Sequence, residues 1–157
     1  MSNINDTFFD GHYKEIWKTL IPDELTVKEV DFMVPHFGLQ PGSKVLDLMC
    51  GYGRHAIALA KKGIVVTAVD NLGDYIDEIK LVAEKDNLPL QAVKHDVITY
   101  PVDADFDLAI CMGKVIFQPA HRIFSLDKWN FSIPAVKTES LKSRSIALVH
   151  ISMWIYF

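Results

Sequence analysis

The chain has few cysteines, no excess of basic residues and no long apolar run. Two cysteines in 157 residues exclude a disulfide framework. Sixteen basic residues against twenty acidic ones give a net charge of −4, which argues against a general nucleic-acid binder, since such proteins gain affinity from phosphate contacts. No apolar run approaches the ~20 residues of a membrane-spanning helix. We therefore expect a small-molecule substrate and neither a nucleic-acid nor a membrane partner.

Targeting and metal-binding patterns are also missing. Residues 1–10 are polar and acidic, without the basic start and apolar core of a secretory signal, so we expect a cytoplasmic protein. The six histidines are scattered without the spacing of metal ligands, which predicts no metal site. A length of 157 residues with 50% hydrophobic residues is typical of one folded domain, residues 1–157.

The first forty residues carry two helical patterns. The first pattern ends before Pro22 and has apolar residues at helical spacing: Tyr13, Ile16, Trp17 and Leu20. The second follows Thr26, and Gly38 is placed to close it. Residues 1–40 are therefore predicted to be a helical N-terminal segment.

Strands and helices alternate in the middle of the chain. Short apolar strands are predicted at 44–48, 64–69, 90–93 and 106–111. Helices are predicted at 54–62 and around 75–83, and a glycine loop, residues 51–53, follows the first strand. This alternation predicts an α/β fold with a doubly wound parallel sheet and right-handed crossovers. Ligands of such sheets bind outside the carboxyl ends of the strands.

The pattern weakens after Gly113. Residues 145–151 are a candidate fifth strand, and the uncharged run 153–157 predicts self-association through the apolar C-terminus. The hypothesis for residues 114–157 is an atypical segment, replaced or translated out of frame. The alternative is a natural minimal variant whose tail supplies one edge strand.

Two glycines and two acids form the most informative pattern. Gly51 and Gly53 lie between a strand and a helix N-terminus, where the backbone can approach a ligand closely. Asp70 ends the next strand, where a carboxylate can accept hydrogen bonds from both ribose hydroxyls. Gly51, Gly53 and Ala56 also satisfy a dinucleotide pattern. Asp47 favours another cofactor, since a carboxylate there would repel a pyrophosphate but attract the ammonium and sulfonium of S-adenosylmethionine.

Residues 44–113 resemble the class I S-adenosylmethionine-dependent methyltransferases. The segments 45–53, 65–70, 94–97 and 105–110 resemble four motifs of that family, in order. The resemblance implies a Rossmann-like sheet, here an incomplete version of the seven-stranded fold. It also implies that residues 1–40 form a lid, and that residues 41–113 form the cofactor-binding core. Tyr13 and Trp17 are candidates for the lid, and core residues are the alternative for both. Met49 stands where the family often has a glycine, so that position must tolerate a side chain.

The resemblance assigns S-adenosylmethionine as the cofactor and nine cofactor-binding residues: Asp47, Gly51, Gly53, Arg54, Asp70, Asn71, Asp96, Val97 and Cys111. Arg54 would pair with the cofactor carboxylate, although a solvated helix face is an equal alternative. Asp70 could instead cap the following helix, and Asp96 could be a turn residue. Cys50 and Cys111 are expected to be buried small residues rather than a redox pair.

The resulting prediction is an enzyme that transfers a methyl group from the sulfonium to an unknown, small-molecule acceptor. No catalytic residue is assigned, because the cofactor supplies the reactivity and the protein supplies position and desolvation. One alternative is a non-catalytic or truncated S-adenosylmethionine-binding remnant. A second is a nicotinamide-dependent oxidoreductase.

Overall fold

A computed structural model describes residues 12–97, 99–101 and 105–112. In chain order its helices and strands are α1 (His12–Leu20), α2 (Asp23–His36), β1 (Lys44–Leu48), α3 (Arg54–Lys61), β2 (Val65–Asp70), α4 (Gly73–Lys85), β3 (Leu90–Lys94) and β4 (Leu108–Ile110). The predicted alternation of strands and helices is confirmed over the described part of the chain.

The four strands form one parallel sheet in the order β3-β2-β1-β4. The first strand thus lies in the middle, and the strand order reverses beside it. Asp47 pairs in register with Ala68 of β2 and Ile110 of β4, and Asp70 pairs with Lys94 of β3. The carboxyl ends of all four strands meet at one edge, which is where ligands bind in doubly wound sheets. The predicted α/β class is confirmed.

The bounds of α2 and β4 differ from their predicted positions by two or more residues. Helix α2 begins at Asp23, three residues before Thr26, because Pro22 adopts the extended conformation of a residue preceding a helix. Asp23 and Glu24 then favour the first turn, where acidic side chains complement the helix dipole. Strand β4 covers only Leu108–Ile110, a shorter stretch than residues 106–111.

One face of the sheet is covered by α2, α3 and α4. Val45 and Val66 of the sheet belong to one buried apolar cluster with Val30 and Met33 of α2 and Leu59 of α3. A neighbouring cluster joins α4 to β3 through Ile76, Ile79 and Ala92. Helix α2 therefore shares a core with the sheet, and this places its side chains close to the start of α3.

No helix in the described part of the chain is long and apolar enough to span a membrane. The predicted strand at 145–151 lies outside the described residues, as does the apolar run from which self-association is predicted.

Candidate functional site

The backbone turns sharply between β1 and α3. Met49, Gly51 and Gly53 all have positive φ angles, of 53°, 55° and 76°. Glycine adopts this conformation without steric cost, whereas a side chain with a Cβ atom is strained there. Met49 therefore carries a side chain in a conformation that favours glycine, as expected from its departure from the family pattern.

The two glycines of the glycine loop have different surroundings. A Cβ atom on Gly53 would lie 2.6 Å from Cγ1 of Ile79, so Gly53 allows α4 to pack against the loop. A Cβ atom on Gly51 would have nothing within 4 Å among its neighbours. Gly51 is therefore the glycine that borders open space, and Gly53 is the one required by packing.

Asp47, near the end of β1, is the most buried acid of the site. Its side chain is 1% exposed, and its Oδ2 atom has no hydrogen-bond partner within the described residues. Burial raises the pKa of its carboxyl group to about 7, with a further contribution from the nearby Asp70 carboxylate. The Arg54 charge and a hydrogen bond from the backbone N–H of Ala56 act in the opposite direction. Such a carboxylate favours any cation that can reach it.

Asp70, at the end of β2, is buried but well satisfied. The backbone N–H of Gly51 donates to its Oδ2 at 2.9 Å, and that of Leu72 donates to its Oδ1 at 3.0 Å. A backbone hydrogen bond from Asn71 also lowers its pKa, although burial dominates and raises it. Asp70 thus ties the glycine loop to the segment before α4. A carboxylate has about four acceptor positions, so capacity for a ligand hydroxyl remains.

Arg54 and His55, in the first turn of α3, both contact Glu29 of α2. Arg54 forms an ion pair with Glu29 and donates to Oγ1 of Thr26 at 2.9 Å, while Nε2 of His55 lies 2.8 Å from Oε2 of Glu29. The Arg54 side chain is only 16% exposed, so the alternative of a solvated helix face is wrong. The role of Arg54 toward a cofactor carboxylate stays a prediction.

Two of these groups have lowered pKa values. Burial, with help from the Arg54 charge, lowers the pKa of His55 to about 4, so its ring is neutral at pH 7. Burial alone would raise the pKa of Glu29, but hydrogen bonds from Arg54 and His55 outweigh burial and lower it. A carboxylate accepts only, so the neutral His55 ring donates its Nε2–H to Glu29.

The remaining predicted site residues lie near the same edge of the sheet. Asn71 and Asp96 are exposed, directly after Asp70 and two residues after β3. The Asp96 carbonyl accepts from the backbone N–H of Thr99 at 3.1 Å, as in the turn alternative. Val97 and Cys111 are half-buried in an apolar cluster with Leu46, Leu48 and Val69 on the other face of the sheet. Cys50 and Cys111 are both half-buried and are not joined by a disulfide.

Helix α1 contacts the glycine loop and α4 through Lys18. The Lys18 ammonium donates to Glu78 of α4 at 3.0 Å and lies 5.9 Å from the centre of the Tyr52 ring. The backbone of Tyr13 and Trp17, the two lid candidates, belongs to α1. Their side chains lie outside the described residues. Within the described part, no group of three His, Cys, Asp or Glu side chains has the arrangement of a metal site.

The structure therefore brings together Asp47, Gly51, Arg54 and Asp70 around the end of β1. Sequence reasoning missed Glu29 and the buried role of His55. One signal was available, because Thr26 interrupts the apolar stripe that continues at Val30 and Met33. A polar residue in a buried stripe requires a polar partner, and that partner is Arg54.

Comparison with known proteins agrees with this geometry. A family described as "Methyltransferase domain" matches residues 45–127, more than half of the chain. The match continues beyond Gly113, so the family pattern extends further into the C-terminal segment than the four motifs indicated. The chain belongs to this family and is of the class I S-adenosylmethionine-dependent methyltransferase type.

Three relatives illustrate the range of that family. An S-adenosyl-L-methionine-dependent Diels-Alderase, iccD of Talaromyces variabilis, is 32% identical over 119 residues, covering 75% of this chain and 41% of the relative. The 23S rRNA (uracil(1939)-C(5))-methyltransferase RlmD of Shewanella sp. (strain MR-4) is 28% identical over 109 residues, covering 69% of this chain and 22% of the relative.

The third relative is a solved structure. Coclaurine N-methyltransferase, crystallised with N-methylheliamine and SAH, superimposes with a TM-score of 0.52 at 27% identity, over 57% of this chain and 28% of that one. The chain thus spans between about a fifth and two-fifths of the length of these proteins.

Proposed function

We propose that this chain binds S-adenosylmethionine beside the glycine loop, and that the protein containing it transfers the methyl group to a small-molecule acceptor. The observation that carries the proposal is the buried Oδ2 atom of Asp47, which has no partner within the described residues. An unpaired buried carboxylate oxygen is costly, and a cationic ligand group would remove that cost.

The Asp47 carboxyl and the Arg54 guanidinium, near the end of β1, have charges that complement the ammonium and carboxylate of an amino-acid group. Asp47 offers an unpaired oxygen to an ammonium group, and the Arg54 charge is close enough to act on the same carboxyl. A pyrophosphate at this position would instead meet the buried Asp47 and Asp70 carboxylates, and the Asp70 charge already raises the pKa of Asp47. This balance supports S-adenosylmethionine over a nicotinamide dinucleotide.

Other residues would hold the rest of the ligand. When bound, S-adenosylmethionine supplies an electrophilic methyl group on its sulfonium. Gly51 leaves room for close approach, and Asp70 retains capacity for a ribose hydroxyl. By the family resemblance, Asn71, Asp96, Val97 and Cys111 would surround the adenosine. The protein then acts by positioning the reactants and excluding water, and no acid or base is assigned.

The small-molecule acceptor is supported by the net charge of −4 and by N-methylheliamine, the small molecule bound in the coclaurine N-methyltransferase structure. The rRNA methyltransferase relatives make RNA the competing acceptor class. RNA binding would need a basic surface, since phosphate contacts dominate that affinity.

A second candidate function is S-adenosylmethionine binding without methyl transfer. It is favoured by one observation, the two relatives named as S-adenosyl-L-methionine-dependent Diels-Alderases, at 39% and 32% identity. This candidate would use the same binding site. It therefore predicts the same binding of S-adenosylmethionine but no transfer of its methyl group to an acceptor.

Isothermal titration of the full chain with S-adenosylhomocysteine and with NAD tests the binding proposal. We expect S-adenosylhomocysteine to bind, NAD not to bind, and Asp47→Asn to weaken the former. Asp31→Asn is the control, because Asp31 is exposed and forms an exposed ion pair with Lys62. Preference for NAD would overturn the proposal. A methyl-release assay with small amines, phenols and RNA then separates methyl transfer from binding alone.

A further inference from the structure

We propose that Glu29 is a positioning residue that fixes the orientation of the Arg54 guanidinium next to the glycine loop. Helix α2 would then form one side of the ligand site. This inference rests on the proposed function, because it concerns the amino-acid end of the same ligand. Glu29 lies outside every segment that resembles a family motif.

The geometry is a small buried cluster with one carboxylate oxygen at its centre. Oε2 of Glu29 accepts from both Nη1 of Arg54 and Nε2 of His55. The side chains of Glu29, Arg54 and His55 are 12%, 16% and 5% exposed. Thr26, one turn before Glu29, accepts from the same Arg54 nitrogen at 2.9 Å. Two residues of α2 thus fix one end of the guanidinium.

Within the described residues, no hydrogen bond uses the other two guanidinium nitrogens of Arg54. Arg54 has five N–H donors in a planar fork, and its hydrogen bonds to α2 use Nη1. Its charge acts on the carboxyl of Asp47 and on the hydroxyl of Tyr52, which follows Gly51 in the glycine loop. Glu29 therefore orients a cation that stands between α2 and the loop.

Because His55 is neutral, Arg54 is the cation that pairs with Glu29 in this cluster. Glu29 thus has a single charged partner at pH 7, and the pair has no net charge. The neutral His55 ring donates a hydrogen bond to the Glu29 carboxylate, while Arg54 provides the positive charge of the ion pair. A buried ion pair of this kind is better evidence of fixed geometry than of added stability.

A second bridge between the same regions provides a matched control. Asp31 of α2 lies 2.7 Å from the ammonium of Lys62, just beyond the end of α3, and both side chains are exposed, at 56% and 42%. This pair joins α2 to the opposite end of α3 from the glycine loop. Exposed pairs contribute little to stability, so its removal changes charge on α2 without disturbing the site.

The test compares two ligands that differ only at the amino-acid end. S-adenosylhomocysteine carries the carboxylate, whereas 5′-methylthioadenosine has the same nucleoside and sulfur but no amino-acid group. For Glu29→Gln we expect about tenfold weaker binding of S-adenosylhomocysteine, in line with a weakened charge-assisted contact, and unchanged binding of 5′-methylthioadenosine. Asp31→Asn should leave both affinities at wild-type values.

Each other outcome has a defined meaning. Equal loss of both ligands in Glu29→Gln would show a merely structural role, and unchanged S-adenosylhomocysteine binding would show that Glu29 does not act through Arg54. If Glu29→Gln fails to fold by circular dichroism, Thr26→Val takes its place, with a smaller but equally selective loss expected. If the wild-type chain binds neither ligand, the proposed function itself fails.

Discussion

The ends of β1 and β2 carry the same residue type in opposite situations. Asp47 and Asp70 lie on neighbouring parallel strands, on the same face of the sheet, and both are buried. The Asp70 carboxylate receives backbone N–H groups on both oxygens. The Asp47 carboxylate keeps one oxygen without a partner in the described part of the chain.

This difference separates an acid that holds the glycine loop by hydrogen bonds from an acid with a buried oxygen that has no partner among the described residues. Asp70 stabilises the glycine loop, since it accepts the N–H of Gly51. Asp47 destabilises the folded chain when it ionises, because burial and the Asp70 charge both oppose its negative form. Substitutions of the two acids should therefore change stability in opposite directions.

Asp70→Ala should have the largest effect on stability. It removes the acceptor for the N–H groups of Gly51 and Leu72, and donors left unsatisfied in partly buried surroundings cost about 1–3 kcal/mol each. We expect a loss of about 3–5 kcal/mol in urea unfolding, with Asp70→Asn in between because one acceptor oxygen remains. Wild-type stability of Asp70→Ala would show that the loop does not depend on this carboxylate.

Asp47→Asn should behave in the opposite way, and the effect should depend on pH. The Asp47 pKa rises from 3.8 to about 7 on folding. From pH 4 to 7 the unfolded chain therefore loses this proton while the folded chain keeps it, so wild-type stability falls as pH rises and levels off above 7. The variant should gain about 2–4 kcal/mol relative to wild type over that window, measured by urea unfolding at several pH values. A constant difference between pH 4 and 8 would contradict the raised pKa.

Gly51→Ala should affect ligand binding more than folding. The new Cβ atom meets nothing within 4 Å, so the cost to stability is the strain of a positive φ angle, about 1 kcal/mol. The N–H that Asp70 accepts is retained. We expect S-adenosylhomocysteine binding to weaken at least tenfold in titration, since the Cβ atom would project toward the ligand. Wild-type affinity would mean that the ligand lies elsewhere.

Met49→Gly should have the smallest effect. Glycine relieves the strain of a φ angle of 53°, but it also increases the conformational freedom of the unfolded chain. These contributions are of similar size, so unfolding free energy should change by less than about 0.5 kcal/mol. A loss above about 2 kcal/mol would indicate that the Met49 side chain contributes to packing.

The fold could be predicted well from the sequence, because strand and helix periodicity indicates the alternation that the sheet shows. The ligand site that Gly51, Asp47 and Asp70 indicate at the strand ends stays a prediction. These signals are local, because each depends on residues near one another in the chain. The family itself followed from the order of the motifs.

The partners of the site residues could not be predicted in the same way. Glu29 contacts Arg54, which lies 25 positions further along the chain, and a charged residue on an amphipathic helix is ordinarily solvated. Likewise, sequence reasoning assigned Asp70 to a ribose and did not anticipate the hydrogen bond from Gly51, 19 positions away. Gly53 was expected to border the ligand, yet its limiting neighbour is Ile79. Each of these contacts depends on tertiary packing rather than on local pattern.

The close contact between Gly53 and Ile79 also has an entropic consequence. A loop that is ordered only by its ligand must lose conformational freedom on binding, at roughly 1–2 kcal/mol for each residue fixed, and glycine loses more than other residues. Here the contact with Ile79 of α4 confines Gly53 within the folded chain itself. The ordering cost at Gly53 therefore falls on folding, so the glycine loop is preorganised for the proposed ligand.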